Sequence, residues 1–100
     1  MNTYYILDKD NNAVEASIEE HLNFPHERNI VSLTEIGGIR ISTIFMGKNY
    51  GGDNFYLFET MTFGGGFERC DGLTNRYSTY QEALEGHKII FRKVTELMSF

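Results

Sequence analysis

The stretch "NIVSLTEIGGIRISTIFMG", residues 29–47, has the pattern of a β-hairpin and decides the fold. Two runs rich in β-branched residues flank Gly37 and Gly38, a two-residue turn in which both positions tolerate positive φ. A turn at these glycines determines which residues of the two strands lie opposite each other. The register predicts two cross-strand pairs beside the turn: Ile36 with Ile39, and Glu35 with Arg40.

Both faces of this hairpin carry apolar side chains. The alternation of side chains along a strand predicts one face with Val31, Leu33, Ile44 and Met46, and a second face with Ile30, Ile36, Ile39, Ile41 and Phe45. A sheet that is apolar on both faces is usually covered on both. We therefore expect a helix on one side, and a partner or the first hairpin of the chain on the other.

The residues before this hairpin predict a smaller hairpin followed by a short helix. Residues 3–7 and 13–15 are β-prone and flank the turn sequence "DKDNN". Ser17 and Glu20 have the spacing of a capping box, and Pro25 limits the helix that they begin. Three residues of that helix are expected to face inward: Ile18, His21 and Leu22.

The residues after the hairpin predict a third strand and a long helix. The strand is "FYLFETMTF", residues 55–63, in which Glu59 is expected to approach Arg40 of the neighbouring strand. Thr79 and Glu82 have the spacing of a second capping box, where the long helix begins. Its inward stripe recurs at helical spacing: Ala83, His87, Ile90, Val94 and Leu97.

These elements predict a single α+β domain over residues 1–100. An antiparallel sheet of three to five strands would carry a short N-terminal helix and a long C-terminal helix packed on one face. The chain is 41% apolar and 14% aromatic, which is enough to build one core. A chain this short buries a modest share of its surface, so a homodimer or a higher homo-oligomer is expected.

The charge balance and the cysteine content exclude several classes of protein. The net charge is −5 and the pI is about 5.1, opposite to the basic surplus that non-specific nucleic-acid binding needs. A single cysteine, Cys70, rules out an internal disulfide, which secreted domains of this size usually have. No signal peptide and no membrane-spanning run are visible, so we expect a soluble cytoplasmic protein.

The sequence contains no motif that predicts catalysis or a bound metal. "DKDNNAVEASIE" places Ala13 where a calcium loop needs glycine, so an ordinary turn is favoured. His21 and His26 are five residues apart across a proline, which is a poor spacing for a shared metal. We therefore expect a protein that is not an enzyme and has no cofactor. His87, on the inward stripe of the long helix, is expected to be a hydrogen-bonded core residue.

The segment "TMTFGGGFERCDGLTNRYST", residues 60–79, predicts a ligand-binding loop. Glycines let the backbone approach a ligand closely, and the helix N-terminus that follows favours an anion. Arginines suit phosphate or carboxylate, and aromatic rings can stack on a base. The alternative is an exposed surface loop whose arginines pair with acidic residues. The candidate ligand-binding residues are Phe63, Gly64, Gly65, Arg69, Arg76, Tyr77 and Thr79, with Arg28 reaching in from a neighbouring copy.

Three motifs resemble a family of small proteins encoded by tailed phages and prophages. They are "IGGIRISTIFMG", "LFETMTFGGG" and "RYSTYQEALEGH". The family pattern is V-S-T-V-F-L-G, then L-F-E-T-M-x-F-G-G, then R-Y-x-T-x-x-E-A-x-x-G-H, and the match covers residues 36–90. The sequence departs from it at residues 48–50, Lys-Asn-Tyr, where the family often has an aspartate-histidine pair, and it has an extra glycine after the strand.

The resemblance implies a protein that acts in the cytoplasm of an infected bacterium and counters its immunity. Some phage proteins of this build look like sponges that sequester nucleotide signals, such as the cyclic ADP-ribose isomers of the Thoeris system. That function would use the arginines, glycines and aromatic rings of residues 60–79, and it implies a small phosphorylated nucleotide as the ligand. The alternatives are a protein-binding inhibitor of a host defence complex, similar to anti-CRISPR proteins, and an accessory phage protein with another role.

Overall fold

The computed structural model of the chain describes residues 3–49, 55–64 and 72–98. Antiparallel strands and one long C-terminal helix make these residues α+β, as the sequence predicts. Within the described ranges, no helix combines the length and the apolarity that crossing a membrane requires. In chain order the elements are β1 (Thr3–Leu7), β2 (Ala13–Ala16), α1 (Ile18–Leu22), a 3₁₀ helix (His26–Asn29), β3 (Ile30–Ile36), β4 (Ile39–Phe45), β5 (Lys48–Asn49), β6 (Phe58–Phe63), β7 (Thr74–Tyr77) and α2 (Tyr80–Met98).

The strands form two antiparallel sheets, so the expectation of a single sheet is wrong. The smaller sheet has the order β2-β1-β5, and the larger sheet has the order β3-β4-β6-β7. Gly47 separates them: at φ 69° it turns the chain away from β4, and its carbonyl accepts a hydrogen bond from Tyr5 N–H at 2.8 Å. A side chain at Gly47 would meet the His21 ring. The chain can therefore cross to the edge of the smaller sheet, where Lys48 lies opposite Tyr4.

The β3–β4 hairpin has the predicted register. Gly37 and Gly38 have φ values of 56° and 84°, as a two-residue turn between twisted strands requires. Arg40 donates a hydrogen bond to Glu35 at 3.2 Å, so its expected approach to Glu59 is wrong. Both predicted cross-strand pairs are confirmed: Ile36 with Ile39, and Glu35 with Arg40.

The predicted faces of the hairpin are wrong at the start of β3. The register shifts between Ile30 and Ser32, so the strand contains a β-bulge. A bulge adds one residue on one strand and reverses which of its side chains face the core. Ile30 is therefore exposed, whereas Val31 packs against the core.

The third predicted strand is shorter than expected and pairs with a strand that the sequence pattern did not indicate. β6 begins at Phe58 rather than at Phe55. Its partner β7 lies inside the predicted loop, where the four residues "TNRY" contain too few apolar positions to predict a strand. Side chains of β6 alternate: Phe58, Thr60 and Thr62 are buried under α2, and Glu59, Met61 and Phe63 lie on the other face.

Helix α2 covers one face of the larger sheet. Thr79 and Glu82 form the predicted capping box, because each side chain accepts a hydrogen bond from the other backbone N–H at 3.1 Å. Gly86 lies on the inward side, where a Cβ would overlap the Tyr77 ring. The helix backbone therefore packs directly on an aromatic side chain. The predicted inward stripe is confirmed, with Ala83, His87, Ile90 and Val94 buried and Leu97 packed against them.

Helix α1 begins as predicted but packs differently. Ser17 and Glu20 form a capping box with hydrogen bonds of 2.9 and 3.0 Å. Ile18 and Leu22 are exposed, so the expectation that they face inward is wrong. His21 faces the smaller sheet, where its Nδ1 lies 3.1 Å from a backbone carbonyl of β1. Because α1 lies against β1 and β2, the expectation that both helices pack on one sheet face is also wrong.

Candidate functional site

Two candidate ligand-binding residues at the end of β6, Phe63 and Gly64, lie in solvent. Phe63 ends β6 with an exposed fraction of 45%. Gly64 follows with φ 74°, a conformation that favours glycine. Gly65 and Arg69 lie outside the described residues, so their part in a binding site stays a prediction.

Arg76 and Tyr77 are directed to opposite faces of the larger sheet. Arg76 donates a hydrogen bond to Glu59 at 2.9 Å, on the face away from α2. Tyr77 is buried in the aromatic core under α2. Neighbouring residues of a strand alternate between faces, so the two side chains cannot line one cavity in this conformation.

Arg28 holds the turn of the first hairpin. Its guanidinium donates hydrogen bonds to the carbonyls of Leu7 and Asp8 at 3.2 and 2.6 Å, and to Asn11 Oδ1 at 3.3 Å. It also lies over the Phe24 ring, 5.1 Å from the centroid. These contacts give Arg28 a structural role within its own chain. Contact with a ligand in a neighbouring copy stays a prediction.

A polar pocket of about 430 Å³ lies between the first turn and the start of α2. Its lining includes Thr79, whose hydroxyl and N–H both take part in the helix cap. Phe55 and Tyr80 provide aromatic walls. Asp10 is the charged residue of the lining, so the pocket is poorly suited to a phosphate. The predicted ligand-binding residues are thus not gathered in one recess of the described structure.

His87 is a buried, hydrogen-bonded histidine, as expected. Its Nε2 lies 2.9 Å from the Thr34 hydroxyl and its Nδ1 lies 2.6 Å from the Thr43 hydroxyl, which is 2.5 Å from the Thr60 hydroxyl. Burial lowers the pKa of His87, so the neutral imidazole is favoured. Across the described ranges, no cluster of three or more His, Cys, Asp or Glu residues is placed to hold a metal ion.

Most of the net negative charge lies in residues 3–29, which we call the N-terminal lobe. The lobe contains six carboxylates and two basic residues, Lys9 and Arg28. Its net charge is therefore −4, compared with −5 for the whole chain. The guanidinium of Arg28 is already occupied by the first turn. The carboxylates are Asp8, Asp10, Glu15, Glu19, Glu20 and Glu27, of which all but Asp8 are exposed.

Local hydrogen bonds keep two of these carboxylates charged. The backbone N–H groups of Asn12 and Asp10 each donate to Asp8 Oδ1 at 2.9 Å, and they lower the pKa of Asp8. Hydrogen bonds with the backbone and the hydroxyl of Ser17 lower the pKa of Glu20. The N-terminal lobe therefore keeps these two charges well into the acidic range.

The N-terminal lobe also exposes apolar side chains. Ile18 is 54% exposed and Leu22 is 72% exposed. They are four residues apart, so they share one side of α1, and Glu19 follows Ile18. We call Ile18, Glu19 and Leu22 the α1 surface. Apolar side chains set among carboxylates are suited to contact with a protein.

Sequence reasoning missed the α1 surface because it treated the apolar spacing of α1 as a core face. A signal against that interpretation was present in the sequence. The helix has little more than one turn between its capping box at Ser17 and Pro25. So short a helix covers little of a sheet, and its apolar residues need not be buried.

No family model matches the chain, and comparison with curated proteins and with solved structures finds no match. The proposals below therefore rest on the geometry and on the motif resemblance described above.

Proposed function

We propose that this chain is a non-enzymatic, protein-binding inhibitor that recognises a basic protein through the N-terminal lobe. The observation that carries the proposal is the coincidence, in one lobe, of a net charge of −4 and the exposed α1 surface. Charge brings the partners together and orients them, and apolar contacts hold them.

The charge distribution supports a basic partner. Complementary potentials raise the association rate and disfavour partners of the same sign. Local hydrogen bonds lower the pKa of Asp8 and of Glu20, which favours the charged form of both carboxylates. An acidic lobe of this kind fits the basic groove of a nuclease or another nucleic-acid-binding protein.

The α1 surface supports a contact with a protein rather than with a free ion. Burying Ile18 and Leu22 against a partner would contribute roughly 1.5–3 kcal/mol for each side chain. Both side chains are outside the core of their own chain. Their removal should therefore weaken binding without unfolding the domain.

The motif resemblance supports a partner in bacterial defence. Small phage proteins of this build counter host immunity, and inhibition by occupation of a basic groove needs no catalytic residue. The site of action would be the cytoplasm of the infected bacterium.

The experiment is retention of host proteins from a bacterial lysate on the immobilised chain, measured by quantitative mass spectrometry. The wild type should retain one protein in stoichiometric amount, and less of it as the salt concentration rises. Ile18→Ser with Leu22→Ser should lower retention by at least about tenfold. Glu19→Lys should lower retention by several-fold.

The matched control is Glu96→Lys, an equal change of charge at an exposed position of α2. It should retain as much of the partner as the wild type does. The proposal is overturned if no protein is retained in stoichiometric amount. It is overturned equally if Glu19→Lys and Glu96→Lys have the same effect, because the location of the charge would then not matter.

A second candidate function is the sequestration of a nucleotide immune signal. The aromatic walls of the pocket beside Thr79 favour it, because Phe55 and Tyr80 are placed to enclose a base, whereas Asp10 in the same lining disfavours the phosphate. Calorimetric titration with cyclic ADP-ribose isomers and cyclic dinucleotides tests this candidate, and binding in the micromolar range or tighter would support it. If none of these nucleotides binds, sequestration of these nucleotides is excluded as the function. An absorbance ratio of the purified protein shifted towards 260 nm would indicate a retained nucleotide.

A further inference from the structure

The face of the larger sheet that is directed away from α2 carries a regular grid of side chains. We call it the open face. Three rows cross its strands, because residues paired in register lie side by side. In the order β3, β4, β6, β7, the first row is Ile30, Ile44, Glu59 and Arg76, the second is Leu33, Ser42, Met61 and Thr74, and the third is Glu35, Arg40 and Phe63.

The open face is apolar along one diagonal and ionic at the two remaining corners. The diagonal begins at Ile30 and Ile44, passes the centre of the grid and ends at Phe63. The exposed fractions of these three side chains are 53%, 36% and 45%. The corners hold the ion pair between Glu59 and Arg76 and the ion pair between Glu35 and Arg40.

We infer that the open face binds the open face of a second copy of this chain, with the two sheets crossing at a steep angle. A homodimer with two-fold symmetry requires a surface that is complementary to itself. A two-fold axis along the apolar diagonal satisfies this requirement. It places apolar side chains on apolar side chains, and each ionic corner opposite the other ionic corner.

The dimensions of the grid allow this arrangement. Strand spacing of about 4.8 Å makes the grid about 14 Å wide, and a rise of about 3.3 Å per residue makes it about 13 Å long. Because the grid is nearly square, a two-fold axis along its diagonal places almost all of the grid of one copy over the grid of the other copy. The strands of the two sheets would then cross near the right angle known for orthogonal packing of sheets.

The charges of the open face favour a second copy over an acidic or a basic partner. Its two arginines and two glutamates cancel, whereas the chain as a whole has a net charge of −5. Two such chains repel each other through most of their surface, and the N-terminal lobe carries most of that charge. A neutral face is the surface on which two copies meet with the least repulsion.

The size of the open face predicts a reversible dimer. Each of its eleven side chains occupies about 4.8 by 6.6 Å of sheet, so the flat area is about 350 Å² per copy, to which the relief of the side chains adds accessible surface. Specific interfaces bury at least about 1,000 Å² in total, so the open face is close to that lower limit. We expect a dissociation constant in the micromolar range.

Sedimentation velocity of the full chain over a concentration series tests the inference. The wild type should shift from the chain mass of 11.5 kDa to twice that mass as its concentration rises. Leu33→Lys with Ile44→Lys should stay monomeric over the same series. Ile89→Lys, at a position of α2 that is 57% exposed, should dimerise as the wild type does.

A wild type that stays monomeric up to several hundred micromolar overturns the inference. So does a dimer that the Leu33→Lys and Ile44→Lys changes leave intact, or one that Ile89→Lys abolishes. These outcomes do not decide the proposed function, because that proposal concerns the N-terminal lobe and its test measures a host protein.

A cross-link tests the same face if the lysine variant does not fold. Ser42 lies in the middle row beside the centre of the grid, where a two-fold axis brings two copies of one position together. Ser42→Cys in a Cys70→Ser background should be cross-linked to a dimer by a short bismaleimide, because sheets packed face to face lie about 10 Å apart, which is too far for a disulfide. Ile89→Cys in the same background should stay monomeric, and equal cross-linking of both variants would overturn the assignment of the face.

Discussion

Different interactions stabilise the N-terminal lobe and the larger sheet with α2. The larger sheet is held by a helix whose inward stripe is buried from Ala83 to Val94. The N-terminal lobe places Leu7 in the core, but its turn and its helix depend on local contacts: Arg28 binds the carbonyls of the first turn, and α1 has no buried residue. The difference shows that the contributions of the two helices to the core are separated: α2 supplies buried residues and α1 supplies none.

This separation explains why α1 can present Ile18 and Leu22 to solvent. The α2 residues that hold the domain together are buried, and a residue buried in the core cannot also contact a partner. Because the core lies under α2, the N-terminal lobe is free to carry charge and apolar surface together. The predictions below test this division, beginning with the largest expected effect.

Removing a core ring from the larger sheet should destabilise the whole domain. Phe58 is fully buried and packs on Phe45 at a centroid distance of 5.2 Å. Phe58→Ala should lower the free energy of unfolding by about 3–5 kcal/mol. Leu22→Ala in the N-terminal lobe should change it by less than about 0.5 kcal/mol. Urea denaturation measures the free energy of unfolding of both variants. Equal losses in the two variants would contradict the division between the lobe and the larger sheet.

A methyl group at Gly86 should also be costly, although alanine favours helices. Its Cβ would overlap the buried Tyr77 ring. Overpacking costs typically 1–3 kcal/mol, whereas the gain in helix propensity is about 1 kcal/mol. Gly86→Ala should therefore lower the free energy of unfolding, by up to about 2 kcal/mol. Lys88→Ala on the exposed side of α2 is the control, and a stabilised Gly86→Ala variant would show that the helix does not pack as closely as described.

The buried histidine should make stability depend on pH below about 6.5, the ordinary pKa of a histidine. Burial lowers the pKa of His87 below its ordinary value, so the unfolded chain takes up this proton first. The stabilisation that neutral His87 provides is complete above the pKa of this histidine in the unfolded chain, about 6.5. It is lost as the pH falls below that pKa, by at most about 1.4 kcal/mol per pH unit.

Urea denaturation at several pH values measures this slope. His87→Asn should flatten it. Leu22→Ala in the N-terminal lobe, which removes no titratable group, should leave it unchanged. A slope that survives the loss of His87 would assign the pH dependence to other groups.

The smallest effect is expected at the cap of α1. Ser17→Ala removes a hydroxyl that accepts the Glu20 N–H at 3.0 Å, which typically costs about 1 kcal/mol of helix stability. Because α1 buries nothing, global unfolding should change little, while hydrogen exchange at Glu20 becomes faster. Slower or unchanged exchange at that amide would show that the cap does not hold the helix.

The sequence pattern predicted local structure best where a single physical rule dominates. The Gly37-Gly38 turn set the hairpin register, and two capping boxes located the starts of both helices. Features that depend on distant contacts were not predictable in this way. The bulge beside Ile30 reverses which side chains face the core, and no glycine or proline in the sequence indicates it. The crossing of β5 to the smaller sheet depends on Gly47, which packs on the first hairpin.

The candidate site was harder to predict than the fold. Arg76 and Tyr77 are adjacent in sequence, and only their assignment to a strand reveals that they are directed to opposite faces. Arg28 carries a charge suited to a ligand but is occupied by its own first turn. Proximity in sequence was therefore a poor guide to a common cavity, and the exposure of Ile18 and Leu22 became apparent only from the packing of α1.

Retention of a host protein by two complementary variants tests the division of the molecule most directly. Ile18→Ser with Leu22→Ser alters the N-terminal lobe, and Leu33→Lys with Ile44→Lys alters the open face. Our account predicts that the first variant loses the partner and the second still retains it. Retention by the first variant together with loss by the second would contradict it, because the partner would then bind the larger sheet.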